Sequence, residues 1–264
     1  MNGLIASSDN DSVKSVAKLL KDAKYRKKCG CFVCEGVRLC RDGILSGRNP
    51  LLFLYTKEAA EKYREDFMLV KSAAERCVAV KKSIFNTISD TVSPQGFLCL
   101  FKMLDKKIFL DTIISNQGSY IALENIQDPS NMGTILRTAE AFGIDGVILS
   151  PNCCDVYSPK VLRGSMGAIF RLPFLTEENF CKSIRALTDS GVHTYASMPR
   201  AAVSLVETDF SKGGVVLIGN EGNGLSREAA AACKTRLTIP MKGSAESLNV
   251  AAAAAVLIWK LTGG

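Results

Sequence analysis

Residues 215–226 read VVLIGNEGNGLS, an apolar run leading into a turn with three glycines in six positions. Val215, Val216, Leu217 and Ile218 carry no polar atom beyond the backbone and include β-branched residues, the composition of a strand buried on both faces. Gly219, Gly222 and Gly224 let backbone come close to a ligand that a Cβ would keep away. The stretch lacks G-x-G-x-x-G, so it is not the dinucleotide fingerprint, and no G-K-[ST] follows, so it is not a phosphate loop. Glu221 sits among glycines with no bulky neighbour, an odd place for a mere surface charge. A glycine-rich turn after a strand is also a common structural device, and alone it fixes no function.

The pattern repeats outward from this stretch. SYIALEN (119–125), DGVILS (145–150), VHTYAS (192–197) and GVVLIGN (214–220) read as strands, with RLPFL (171–175) as a short one. Between and after them, NMGTILRTAEAFG (131–143), EENFCKSIRALTDSG (177–191) and AESLNVAAAAAVLIWKL (245–261) read as helices, the first stopped by Gly143 at C′. Strand–helix alternation at this spacing predicts a parallel sheet covered by helices on both faces, with ligands at the carboxyl ends of its strands. Two further segments follow predicted strands. In LENIQDPSNMGTILRTAEAFG (123–143), Ser130 or Asn131 can cap the helix, and Arg137 lies six residues on, about 9 Å along the axis. A fork-shaped cation near a helix start suits a phosphate; a surface arginine on a capped helix is the plain alternative. In IPMKGSAESLNVAAAAAVLIW (239–259), Ser244 or Ser247 can start the closing helix, and five consecutive alanines permit close packing against a core or a second copy.

The first hundred residues form a second, smaller α/β pattern. Residues 13–28 (VKSVAKLLKDAKYRKK) place apolar residues at helical spacing, CFVCEG and LLFLYT read as strands, and VRLCRDGI and KEAAEKYRED as helices, with CVAV and GFLCLF as further strands. MLDKKIFLDTIISNQG (103–118) reads as a crossover. The expected domains are therefore 1–105, a linker at 106–118, and 119–264. Residues 1–107 carry 20 Lys and Arg against 12 Asp and Glu, whereas residues 108–264 carry 13 against 14, so the net charge of +7 comes entirely from the first part. That surface would attract a polyanion, or simply solubilise the chain. No stretch of about 18 apolar residues reads as a membrane span. The opening residues lack the basic and apolar regions of a signal peptide. Ten cysteines fit reduced thiols in a cytoplasmic protein. Cys29, Cys31, Cys34 and Cys40 do not follow a zinc spacing, and no metal is expected.

In combination the three segments say more than each alone. Asn-x5-Arg, then GNEGNGLS, then IPMKGSAESLNVAAA closely resembles the SpoU (TrmH-like) branch of the SPOUT methyltransferases, over residues 119–261. FVCEGVRLCRDG is similar to the small RNA-binding substrate domain that precedes the catalytic domain in SpoU enzymes acting on ribosomal RNA. The resemblance implies an α/β SPOUT domain with a deep trefoil knot and a homodimer. It implies S-adenosyl-L-methionine as cofactor and methyl transfer to a ribose 2′-hydroxyl, most naturally in large-subunit ribosomal RNA. Transfer RNA, or a non-catalytic RNA-binding role on the same scaffold, is the alternative. Carried over residue by residue, it assigns Asn131, Arg137, Glu221, Ser247 and Asn249 to catalysis, and Gly219, Glu221, Gly222, Ile239, Met241 and Leu248 to the cofactor. His193, the single histidine, matches no family site and reads as structural.

Overall fold

The computed structural model describes residues 4–104, 110–116, 118–201 and 203–264. Its first part contains α1 (Asp11–Lys21), α2 (Ala23–Cys29), β1 (Cys31–Glu35), α3 (Val37–Leu45), β2 (Leu52–Tyr55), α4 (Lys57–Lys62), α5 (Arg64–Ala73), β3 (Cys77–Ala79), α6 (Lys82–Ile88) and β4 (Phe97–Lys102). There follow α7 (Leu110–Ser115), β5 (Ser119–Leu123), α8 (Pro129–Ala141), β6 (Gly146–Leu149), α9 (Pro159–Ser165), β7 (Phe174–Thr176), α10 (Phe180–Asp189) and β8 (Thr194–Ser197). The last are β9 (Val203–Ser204), β10 (Gly214–Ile218), α11 (Arg227–Ala232), β11 (Thr235–Thr238) and α12 (Val250–Leu261). Of the expected crossover, residues 105–109 and 117 lie outside the described residues, and α7 occupies 110–115.

The chain forms two compact units, one of residues 1–105 with 155–170, the other of residues 106–154 with 171–264. The first holds a mixed sheet in the order β1-β4-β2-β3, in which β2 and β3 are parallel and the β4 pairings antiparallel. Val13, Val16, Leu19 and Leu20 of α1 bury one stripe against Val33, Leu54 and Leu98. The helix expected over 13–28 is broken at Asp22. There the backbone is extended and the side chain accepts from the Tyr25 N–H, so the aspartate starts a new helix rather than continuing the old one. The helix expected over 57–66 is likewise split, at Tyr63.

Residues 155–170, which the sequence reading assigns to the second domain, pack in the first unit. Buried Arg26 holds Asp155 at 2.6 Å and donates to the Leu19 carbonyl at 2.5 Å, and Tyr157 packs on Phe32 with centroids 4.7 Å apart. Cys34, Cys40 and Cys99 are core residues, and burial pushes the Cys34 and Cys99 thiols well up. Cys29 is exposed, and no cluster of three or more metal-ligating side chains occurs among the described residues.

The second unit is built on a seven-stranded sheet in the order β7-β6-β5-β10-β8-β11-β9, with every pairing parallel. Strand β10 occupies the centre, between β5 and β8, and all five of its residues are buried. Such complete burial is what an apolar run without alternation dictates. The chain builds β5, β6 and β7 in one direction, then returns to the other side of β5. The order reverses between β5 and β10, the position where open parallel sheets leave a crevice at the carboxyl ends. Strands β9 and β11 are short and partly polar, and periodicity does not mark them.

Two helix starts differ from expectation, and both differences matter for the site. Helix α8 is capped by Asp128, which accepts from the N–H groups of Ser130 at 2.6 Å and Asn131 at 3.0 Å. Pro129 takes the first helical position, where a missing N–H costs nothing, so the cap falls one residue before it. Helix α12 begins at Val250, capped by Asn249, not at Ser244 or Ser247. It packs against α8 and β10 through buried Ala251, Ala254, Leu257 and Ile258. Gly143 adopts φ 74°, the left-handed stop expected after α8.

The core of this unit makes a direct prediction. Leu217 is fully buried in the central strand, and Leu217→Ala should cost about 2–5 kcal/mol of stability by removing packed methyl groups. Urea unfolding followed through Trp259, the single tryptophan and a member of the same unit, measures it.

Candidate active site and its relatives

The loops following β5, β10 and β11 meet at the carboxyl end of the sheet. Asn249 uses its side-chain oxygen to accept from the Ala251 N–H at 2.9 Å and the Ala252 N–H at 3.3 Å. Its amide nitrogen is thereby turned outward and donates to Asn131 Oδ1 at 3.2 Å. Asn131 in turn donates to Glu221 Oε1 at 3.1 Å. Because Asp128 caps α8, the Asn131 side chain is free to make this bridge. One residue from each of the three sequence segments thus joins a single hydrogen-bonded chain.

Glu221 is the acceptor at the end of that chain and the hub of its turn. Besides Asn131 it receives the backbone N–H groups of Gln127 at 3.3 Å and Asp128 at 3.2 Å, and the Asn220 amide at 3.3 Å. Partial burial pushes its carboxyl up. The donation from its own backbone, Asn131, Asp128 and Gln127 outweighs that and holds it below the ordinary carboxylate range. Asn220 locks the turn from inside, accepting from the Gly222 N–H at 2.9 Å and the Asn223 N–H at 3.1 Å and donating to the Asn125 carbonyl at 2.8 Å. Glu124, buried at the end of β5, accepts from both the N–H and the hydroxyl of Ser226, each at 2.7 Å. That pair ties the far end of the glycine-rich turn to the sheet.

Beside the turn lies a cavity of about 290 Å³. Gly219, Glu221, Gly222, Ile239, Met241, Ser247 and Leu248 all line it, together with Ile218, Leu225 and Val250. Its walls mix apolar side chains and glycine backbone with the polar side chains of Ser197, Asn220, Asn223 and Thr238, and among the described residues no lysine or arginine lines it. A Cβ at Gly219 would collide with the backbone of Gly224 and Leu225, so the turn closes on itself only because this residue is glycine. Leu248 is 40% exposed, a large apolar side chain left at the cavity edge.

Arg137 stands apart from the other four catalytic candidates. It is exposed on α8 and has no partner among the described residues. Six residues advance a helix by about 240°, so Arg137 points away from the face that carries Asn131. His193 lies just before β8, its ring stacked 6.4 Å from Tyr195, away from this end of the sheet. Sequence reasoning missed Glu124, Gln127, Asp128 and Asn220. Glu124 carries a legible signal, a carboxylate directly after an apolar strand. Gln127 and Asp128 serve Glu221 through backbone N–H groups, which any residue but proline supplies.

This site has known relatives. Residues 118–259 match the SpoU rRNA methylase family and residues 10–99 the MRM3-like substrate-binding domain. An uncharacterised tRNA/rRNA methyltransferase of Synechocystis is 31% identical, over 97% of this chain and 92% of its own length. The 23S rRNA (guanosine(2553)-2′-O)-methyltransferase RlmP of Bacillus subtilis is 29% identical, over 98% and 99%. Among solved structures, an AdoMet-bound rRNA methyltransferase from Sinorhizobium meliloti superposes with a TM-score of 0.84 at 29% identity, covering 98% of this chain and 97% of that one. The fold is that of the SPOUT methyltransferases, and the chain belongs to the SpoU rRNA methylase family.

The charge arrangement is testable by pH. Glu221 should titrate below the ordinary glutamate range in a carbon-detected NMR titration, and Asn131→Ala should move it upward. A carboxyl depressed in the folded state stabilises the turn above its unfolded pKa. That contribution is lost as pH falls through the folded value.

Proposed function

We propose that this protein transfers the methyl group of S-adenosylmethionine to a ribose 2′-hydroxyl of large-subunit ribosomal RNA. One observation carries the reading: Asn131, Glu221 and Asn249, from three separate segments, join in one hydrogen-bonded chain beside a cavity at the carboxyl ends of β8, β10 and β11. The activities named for the relatives, RlmP among them, agree with it.

The cavity fits the cofactor. Gly219, Gly222, Ile239, Met241 and Leu248 would hold it through backbone and apolar contact, with Glu221 at the rim. A Cβ at Gly219 would meet the Gly224 and Leu225 backbone, so the wall this turn gives the cavity depends on glycine there. The cofactor supplies an electrophilic methyl on a sulfonium, whose departing thioether is neutral and needs no acid. The protein's task is to hold a poor nucleophile in line and ease removal of its proton. A guanidinium, with a pKa above about 12, is a very poor base. Arg137 acts instead as a clamp on the phosphate next to the target ribose, polarising its hydroxyl. Asn131, Ser247 and Asn249 orient the hydroxyl and the loops, and ionised Glu221 keeps them in register.

Arg137 points away from the chain's own Asn131, which supports action across a homodimer. Ala252, Val256 and Trp259 share one face of α12 at i, i+4 and i+7, and Val256 and Trp259 are 39% and 52% exposed. Phe142, at the end of the helix that α12 packs on, is 45% exposed. An apolar strip of this kind suits a second copy of the chain. The knotted threading belongs to the same reading, since the segment after β11 runs along the cavity and doubles back as α12 over β10 and α8. The basic excess of residues 1–107 supports RNA capture by the first unit, as a substrate domain of residues 1–105. Ten free thiols and an RNA substrate support a cytoplasmic site of action, and no helix among the described residues is long and apolar enough to cross a membrane.

Calorimetry on the full chain should show S-adenosylmethionine binding, and Gly219→Ala should weaken it about tenfold or more, a loss of 1.4 kcal/mol. Transfer of labelled methyl to ribosomal RNA, mapped to a 2′-oxygen, tests the reaction itself; no binding and no transfer would refute the reading. Arg137→Lys keeps the charge and loses the fork. It should lower turnover about 10²-fold with cofactor affinity unchanged, and Arg137→Ala should be worse. A turnover of Arg137→Ala within a few-fold of the unmutated protein would remove the arginine from the mechanism.

A further inference from the structure

The glycine-rich turn has a second face. Behind it lies a wide recess of about 550 Å³, lined by Asn125, Gln127, Asn152, Asn220, Asn223 and the 224–226 backbone. Asn220, Asn223, Gly224 and Leu225 line both this recess and the cofactor cavity, so a single turn of chain separates the two. Five carboxamides and no ionisable side chain line the recess. Such a wall brings no cation to a phosphate, but it presents donors and acceptors side by side, the pattern that reads the edge of a nucleobase.

The carboxamides divide into two groups. Asn220 is consumed by the turn, as described above. Asn125 is held in the left-handed region at φ 56° by Ser150, whose hydroxyl accepts from its N–H at 2.8 Å and donates to its Oδ1 at 3.0 Å. A non-glycine residue in that conformation persists only where its surroundings enforce it. Asn152 and Asn223 are different. Their backbones are fixed, Asn152 through its carbonyl, which accepts from Gln127 Nε2 at 2.5 Å, and Asn223 through its N–H to Asn220. Their side-chain amides are exposed and meet no partner among the described residues. Two free amides on a pinned frame make a preorganised reader.

We propose that this recess receives the base of the methyl-accepting nucleotide, turned out of its stack, and selects it through the amides of Asn152 and Asn223. The inference rests on the reading of the protein as an RNA methyltransferase. The ribose of a base so held lies at the rim of the turn whose other face lines the cofactor cavity. Enzymes that act on one nucleotide within a folded RNA commonly extrude it, and the hydrogen-bonding edge of the extruded base is then free for inspection.

The test uses the full-length protein and an in vitro transcript of the host large-subunit ribosomal RNA, with the methylated nucleotide first mapped. Four transcripts differing only at that nucleotide are then compared by kcat/KM. The unmutated protein should prefer one base by about 10-fold or more, the discrimination a bidentate amide provides. Asn152→Ala, whose side chain supports no other contact, should narrow that preference to within a few-fold while S-adenosylmethionine affinity holds. Asn152→Asp, which replaces a donor by an acceptor, should shift the preference toward a different base. Equal rates on all four transcripts with the unmutated protein, an unaltered preference in Asn152→Ala, or a uniform loss across the four would each overturn the base-reading role. Methylation of no transcript at all would instead overturn the methyltransferase reading, and this inference with it.

Discussion

Asn131 has one amide and two demands on it. Asn249 commits its own oxygen to the first turn of α12 and so presents only a donor, while Glu221 as a carboxylate presents only acceptors. Asn131 satisfies both in one orientation alone, oxygen toward Asn249 and nitrogen toward Glu221. Reversing the amide would face donor with donor and acceptor with acceptor. This polarity requirement joins the start of α8, the turn after β10 and the start of α12, and the cavity's shape follows from where those three segments are held.

The rest of the second unit can be understood as support for that junction. The parallel sheet brings the ends of β5, β10 and β8 side by side because the burial of β10 demands helices on both faces. Glu124 and Ser226 fix the far end of the turn, and Gly219 lets it fold onto itself. Asp128 takes over the capping of α8, which leaves Asn131 for the bridge. A fully donated, ionised Glu221 gives this cavity, which no lysine or arginine lines among the described residues, one fixed negative charge. Arg137, by contrast, is left in solvent, which agrees with the phosphate clamp proposed for it.

Much of this was legible in the sequence, for identifiable reasons. Unbroken apolar runs such as Val215–Ile218 report burial on both faces, so the parallel sheet could be read before its topology was known. The glycines of the turn and the order of the three segments were equally open to reading. Other features were hidden because their cause is tertiary or carried by backbone. The cap of α8 moved to Asp128 because Pro129 claims the first helical position. The start of α12 waited for Asn249, whose side chain caps it, while Ser247 and Leu248 before it line the cavity. Strands β9 and β11 are stabilised by neighbours rather than by their own pattern. The packing of residues 155–170 in the first unit rests on partners more than fifty residues away in sequence, among them buried Arg26 on Asp155 and Phe32 against Tyr157 and Phe170.

A double-mutant cycle across the Asn131–Asn249 hydrogen bond tests the central claim most directly. Methyl transfer to ribosomal RNA would be measured as kcat/KM for Asn131→Ala, Asn249→Ala and the pair, so that the loss of the α12 cap cancels between the two arms. If the bridge holds the three loops in one working geometry, the two losses should be strongly non-additive, with a coupling of about 1 kcal/mol or more. Losses that add to within about 0.5 kcal/mol would show that the two residues act independently, and would contradict the account.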